Sequence, residues 1–219
     1  MSSPSLKFKA ILFDFDGTLL DSFSAHYQAF KVTLAHFNIE VTPDQYKQTY
    51  SPNWFAVYEA FGIPPEKYEE ADNVWLAEAR KHEPQLFPQA RPLLESLKNK
   101  FTLGLVTSGS RPRVLRDLTS TGILDFFQVM ITGDDISKPK PDPEGLFLAL
   151  DQLALPPDRA LFVGDAREDY LMARAAGVPF IGITAGFATV SKVNDCSQLA
   201  DLSELTSLIG QSSGSIALI

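Results

Sequence analysis

The chain has 219 residues, of which 45% are hydrophobic, 21% charged and 11% aromatic, a balance that excludes a disordered or fibrous protein. Nineteen Lys and Arg against 27 Asp and Glu leave a formal charge of −8, which argues against non-specific binding to nucleic acid or to an anionic membrane surface. An acidic chain that binds an anion must supply positive charge locally, from a metal ion, a lysine or backbone N–H groups. The single cysteine, Cys196, excludes an internal disulfide and a cysteine-rich zinc site, and is expected to serve as a small hydrophobe. There is no run of 18 apolar residues for a membrane span, and residues 1–10 lack the apolar stretch of a signal peptide, so the cytoplasm is the expected location. Residues 211–219 read as a loose, low-complexity tail.

Along the chain, short apolar runs alternate with helical patterns. The run Ala10-Ile11-Leu12-Phe13 ends at an acid. The character then changes: residues 21–37 place Phe23, Tyr27, Phe30, Leu34 and Phe37 at helical spacing, and Thr42-Pro43 caps a second helix. Residues 54–61 and 66–81 continue the pattern, broken by Gly62 and Pro64-Pro65. This predicts an all-helical insert over residues 19–86 within an α/β domain formed by residues 1–18 and 87–219. In that domain Thr102–Val106 ends at Thr107-Ser108-Gly109, residues 128–132 at Gly133-Asp134-Asp135, residues 160–163 at Gly164-Asp165, and residues 179–183 before Gly186. Strands apolar on both faces and separated by helices predict a Rossmann-like parallel sheet covered on both sides. Ligands of such sheets bind beyond the carboxyl ends of the strands, where this chain carries Asp14, Asp16, Thr107 and Asp165.

Asp14 and Asp16 stand two apart, so on an extended chain both carboxylates face one site, and Gly17 then permits a sharp turn. Two acids at the mouth of an apolar strand repel unless a cation lies between them; the bland alternative is a solvated Asp-Gly turn. Gly164-Asp165-Ala166-Arg167-Glu168-Asp169 supplies a second acidic cluster. Asp165 is suited to complete an oxygen-ligand site for Mg2+, and Asp169, one turn on, to hold a metal-bound water, although acids also favour a helix start for its own sake. Thr107, Ser108 and Gly109 open a helix with Ser110 as its N-cap, where a hydroxyl and free N–H groups suit a phosphate oxygen. In Ser137-Lys138-Pro139-Lys140-Pro141-Asp142-Pro143 the alternating prolines stiffen the segment until Asp142 caps the next helix. Lys138 is expected to be aimed into the site and Lys140 to lie in a solvated loop.

Taken in order, Asp14-x-Asp16-Gly17-Thr18, Thr107, Lys138 and Gly164-Asp165-x-x-x-Asp169 resemble the four motifs of the haloacid dehalogenase-like hydrolase superfamily. The helical insert resembles the cap of its phosphoglycolate phosphatase-like branch, so the resemblance spans nearly the whole chain. It implies that Asp14 attacks phosphorus to form an aspartyl-phosphate, and that Asp16 protonates the leaving oxygen and later takes a proton from water. It also implies that Lys138, Thr107, Ser108 and Gly109 bind the phosphoryl group. The implied cofactor is Mg2+, held by the Asp14 carboxylate, the Asp16 carbonyl and Asp165, with Asp169 behind them. The implied substrate is a small phosphorylated metabolite, and the protein is expected to be a monomer or weak dimer with no nucleic-acid or membrane partner.

Asp16 disfavours dehalogenase and phosphonate-cleaving chemistry, whose enzymes in this superfamily lack that acid. A sugar-phosphate mutase would keep every motif. Thr18 after Gly17, and a stretch over residues 50–58 without a basic residue, favour hydrolysis, with Lys47 and Arg80 left as substitutes for a second phosphate grip. A phospho-accepting receiver module would not place its acceptor on the first strand beside an acid/base partner, and an inactive binding protein would have no reason to keep the full set of acids. His26 occupies the position, just inside the cap, where mutases and many phosphatases of the branch carry a histidine, and either a polar hinge contact or a catalytic role is open to it. His36 and His82 read as surface residues. The aromatics Tyr50, Trp54, Phe55, Tyr58 and Trp75 read as core more readily than as pocket, and Arg111, Arg113 and Arg116 as a solvated helix face.

Overall fold

The computed structural model describes residues 8–186 and 188–210; the expectations for the first seven residues and for the 211–219 tail lie outside them. Six parallel strands form one sheet: β1 (Ala10–Phe13), β2 (Thr102–Val106), β3 (Val129–Ile131), β4 (Ala160–Gly164), β5 (Phe180–Ile183) and β6 (Ser197–Leu199), in the order β3-β2-β1-β4-β5-β6. Five of these coincide with the apolar runs of the sequence. The sixth, β6, was not among them, because it is short, polar and only half-buried, so no apolar run marks it.

The chain divides into two compact units, residues 1–21 with 86–219, and residues 22–85. The second unit contains α1 (Phe23–His36), α2 (Pro43–Thr49), α3 (Trp54–Ala60) and α4 (Tyr68–Ala79), with one 3₁₀ turn and, among the described residues, no strand. Thr42 caps α2 reciprocally with Gln45, with Pro43 at its first position. The core of this unit gathers on Phe30, whose ring lies 5.1 Å from Tyr46, 5.8 Å from Tyr58 and 5.9 Å from Trp75.

In the first unit, α5 (Ala90–Leu97), α6 (Arg111–Ser120) and α9 (Ser203–Gly210) cover one face of the sheet, while α7 (Glu144–Leu153) and α8 (Arg167–Ala176) cover the other. The alternation along each strand assigns its side chains. Ile11, Phe13, Leu103, Leu105, Leu161 and Val163 enter the first core, and Ala10, Leu12, Val106, Ala160 and Phe162 the second. Both faces are therefore apolar, and the polar residues accumulate where the strands end. The strand order reverses between β1 and β4, which makes their carboxyl ends the crevice of the sheet.

Candidate active site

Asp14 follows β1 directly and Asp165 follows β4, and the pairing of these two strands brings the acids together. The Asp14 N–H donates to the Val163 carbonyl at 2.8 Å, which continues the ladder and fixes the Asp14 backbone. Asp169 lies in the first turn of α8, where its Oδ2 accepts the Ala166 N–H at 3.0 Å. Asp14, Asp165 and Asp169 are all buried, and each brings a carboxylate oxygen to within 4.8 Å of the others. Burial, followed by the Asp169 charge, pushes the Asp14 carboxyl up to about 7 even though Lys140 pulls the other way. Burial and the charges of Asp14 and Asp169 likewise raise Asp165 well above the usual carboxylate range. The Thr18 hydroxyl donates to Asp165 Oδ1 at 3.0 Å and opposes that rise.

Among the described residues one ammonium group enters the cluster, and it belongs to Lys140. Its Nζ donates to Asp14 Oδ1 at 2.6 Å and to Asp169 Oδ1 at 2.7 Å, and the residue is only 3% exposed. Burial works against the Lys140 charge, but the two carboxylates more than offset it and hold the amine above its ordinary value. Lys138, the lysine expected here, instead points outward: its side chain is 70% exposed, with Asp142 3.9 Å away. The physical cause is Glu144 at the start of α7, whose carboxylate accepts the Ser137 N–H at 3.0 Å and the Lys138 N–H at 2.7 Å. That clamp fixes the backbone at Lys138, and the chain turns its next lysine inward. The expectation is corrected accordingly, with Lys140 as the lysine of the site and Lys138 on the surface.

Asp16 also departs from expectation. The rule that residues two apart face one way needs extended backbone, and the chain folds back here: the Phe15 carbonyl accepts the N–H groups of Leu19 and Leu20, both at 2.9 Å. The Asp16 carboxylate lies outside the three-acid cluster and is gripped by Arg113, whose Nη1 donates to Oδ1 at 3.1 Å while Nη2 donates to Oδ2. The Asp16 side chain is therefore not among the acids that the structure gathers, which leaves the backbone carbonyl as the atom by which Asp16 is expected to reach a metal. Arg113, expected on a solvated face, is buried, whereas the neighbouring Arg111 pairs with Asp135 and Arg116 with Asp117 at half-exposed positions. At Gly17 φ is +81°, and a Cβ there would collide with the Asp165 carboxylate, so only glycine admits this approach of the two loops.

At the end of β2, Thr107 is buried, its N–H donates to the Ile131 carbonyl at 3.0 Å and its hydroxyl accepts the Gly109 N–H at 3.2 Å. The Ser108 hydroxyl oxygen beside it is enclosed without a hydrogen-bond partner. Ser110 stands at the N-cap of α6 in extended geometry, with no side-chain capping bond. In the helical unit His26 is buried with its ring edge-on to Trp75 at 5.3 Å, Tyr58 is buried and donates to Asp72 Oδ1 at 2.9 Å, and Trp54 packs on Trp75 at 4.8 Å. These aromatics belong to the core of that unit, whereas Phe55 is exposed. His36 pairs with Glu70 at the surface.

A family model described as haloacid dehalogenase-like hydrolase matches residues 11–183. A protein of Yersinia pseudotuberculosis named phosphoglycolate phosphatase is 36% identical, with 94% of this chain and 96% of the relative covered. A protein of Bacillus velezensis named pyrophosphatase PpaX is 33% identical, with 92% and 96% covered. Among solved structures, one from Bacteroides fragilis assigned to the haloacid dehalogenase-like hydrolases is 31% identical and superposes with a TM-score of 0.83 over 91% of this chain and all of the other. Strand order, acids at the β1 and β4 ends and these likenesses agree, and the chain belongs to the haloacid dehalogenase-like hydrolase family.

Proposed function

We propose that this enzyme is a phosphatase that transfers the phosphoryl group of a small phosphomonoester first to Asp14 and then to water. The observation that carries the reading is the charge balance at the crevice: three buried carboxylates share one buried ammonium, and burial and mutual repulsion raise two of them, Asp14 to about 7 and Asp165 well above the usual carboxylate range. A hard divalent cation suits that deficit, since every donor is a carboxylate oxygen and none is sulfur or imidazole. Asp14 and Asp165 would hold Mg2+, each having one oxygen already engaged by Lys140 or Thr18. Bound there, the ion would neutralise charge on the transferring phosphoryl group.

The residues of the chain supply the rest. Asp14, fixed through its N–H to β4, offers a carboxylate oxygen to phosphorus, and the bond to the leaving oxygen breaks as the aspartyl-phosphate bond forms. Lys140 and the Thr107-Ser108-Gly109 turn stabilise the negative phosphoryl oxygens. Asp16 gives its proton to the leaving oxygen and, as a carboxylate, takes one from the water that cleaves the intermediate. The relatives named phosphoglycolate phosphatase and pyrophosphatase support hydrolysis of a small phosphorylated compound.

The test is release of inorganic phosphate from a panel that includes 2-phosphoglycolate, inorganic pyrophosphate, hexose phosphates and 4-nitrophenyl phosphate, with and without Mg2+. Asp14→Asn should abolish turnover on every substrate while the fold is retained. Turnover by Asp14→Asn would remove the covalent step. Conversion of a hexose 1-phosphate to its 6-phosphate without free phosphate would replace hydrolysis by mutase chemistry.

A further inference from the structure

Arg113 is the buried cation that this reaction leaves without a task. It sits in the first turn of α6, is 5% exposed, and spans two loops of the site. Towards the β1 loop its two terminal nitrogens meet the two oxygens of Asp16, one on one. Behind it, Nη1 also donates to Asp117 Oδ2 at 3.2 Å, and Asp117, itself buried, is held on its other oxygen by Arg116 Nε at 2.7 Å. Towards the β2 loop, a Cβ at Gly109 would overlap the Arg113 guanidinium, so the turn that follows Thr107 is shaped around this side chain. A two-point fork of this kind sets both the distance and the plane of a carboxylate, which a lysine or an apolar filler does not. Holding two loops together needs no buried ion pair, since well-packed apolar residues do so at least as well.

We infer that Arg113 is a positioning residue for Asp16, with Asp117 fixing Arg113 in turn. The inference rests on the phosphatase reading, in which Asp16 is the acid and base. In the first step the Asp16 proton goes to the leaving oxygen as the phosphorus bond to that oxygen breaks, and the carboxylate that results is the form the fork matches. In the second step the same carboxylate accepts a proton from the attacking water. An acid aimed this way accelerates departure of a poor leaving group far more than of a good one, which separates positioning from a general structural role.

The experiment compares kcat/KM for an alkyl phosphate that the wild type hydrolyses and for 4-nitrophenyl phosphate, whose leaving group needs little protonation. Arg113→Ala should lose on the order of 10²-fold on the alkyl ester, through kcat and not KM, but no more than about 10-fold on the aryl ester. Guanidinium ion added to Arg113→Ala should restore part of the alkyl activity. Arg113→Lys, which keeps the charge without the fork, should show the same contrast between substrates at smaller amplitude, and it carries the test if the alanine variant does not fold. Equal losses on both esters, a change confined to KM, or unchanged activity would overturn the inference. A wild type that hydrolyses neither ester would instead sink the phosphatase reading itself.

Discussion

Replacing Lys140 by methionine keeps an unbranched side chain, one atom shorter, and removes the ammonium group that bridges Asp14 and Asp169. Asp169, fully enclosed, then retains only the Ala166 N–H, and Asp14 loses its 2.6 Å partner. Breaking a buried pair by deleting one partner costs about 3–5 kcal/mol, because a charge is left uncompensated. A second route gives a similar size. Neutralising a stranded carboxyl at about pH 7, when its unfolded value is 3.8, costs about 4 kcal/mol at 1.36 kcal/mol per unit. Since protonation is the escape, the penalty has a sign in pH. The folded-state value of the stranded acid is raised, so the loss is small near pH 4 and grows by about 1.4 kcal/mol per unit as pH rises. Urea unfolding of chelator-treated protein, followed by circular dichroism at about pH 5 and about pH 7.5, measures both terms. Lys138→Met is the control, and with its exposed side chain and a partner at 3.9 Å it should cost about 0–1 kcal/mol. A Lys138→Met loss as large as that of Lys140→Met, or a Lys140→Met loss that is flat in pH, would refute the reasoning.

Two further outcomes follow from the same cluster. Because burial raises Asp14 to about 7 in the folded protein, its contribution to stability is fully present below about pH 4 and is lost as pH rises through 7, so Mg2+ should raise the melting temperature more at about pH 8 than at about pH 5; an equal increment at both would count against the site. Gly17→Ala should destabilise the protein by at least about 1–2 kcal/mol from its positive φ alone and, by displacing Asp165, abolish the Mg2+ increment; a variant that melts normally and still responds to Mg2+ would disprove the proposed crowding.

The strands and the acids at their ends were legible because both signals are local. A run such as Ala10-Ile11-Leu12-Phe13 is apolar on both faces only when both faces are covered, and the acid that stops it must lie at the sheet's edge. The strand β6 failed the same criterion, since Ser197 and Gln198 pair with β5 through backbone alone. In the helical unit the stripe built on Phe30 and Leu34 was readable, yet the same residue types serve core and pocket, and spacing does not separate the two uses.

Partners, in contrast, are set by sheet order, and there the sequence is silent. The segment around Lys138 contains two overlapping Lys-Pro-x-Pro registers, one opening at Lys138 and one at Lys140, and the second runs straight into α7 through Pro143 and Glu144. That continuity was the available signal for Lys140, while the deciding force, the Glu144 carboxylate clamped on two N–H groups, appears only once the helix is formed. Arg113 had no such signal. Arg113 and Asp117 stand four apart, the spacing of an ordinary surface pair, and what buries them is Asp16, 97 residues earlier in the chain. Thr18 lies between these cases: its place after Gly17 marked the family, but its task, a hydroxyl donated across the β1–β4 seam to Asp165, required the strand order. A sequence thus discloses which chemistry a strand end carries; which charges answer one another depends on the order in which the strands pair.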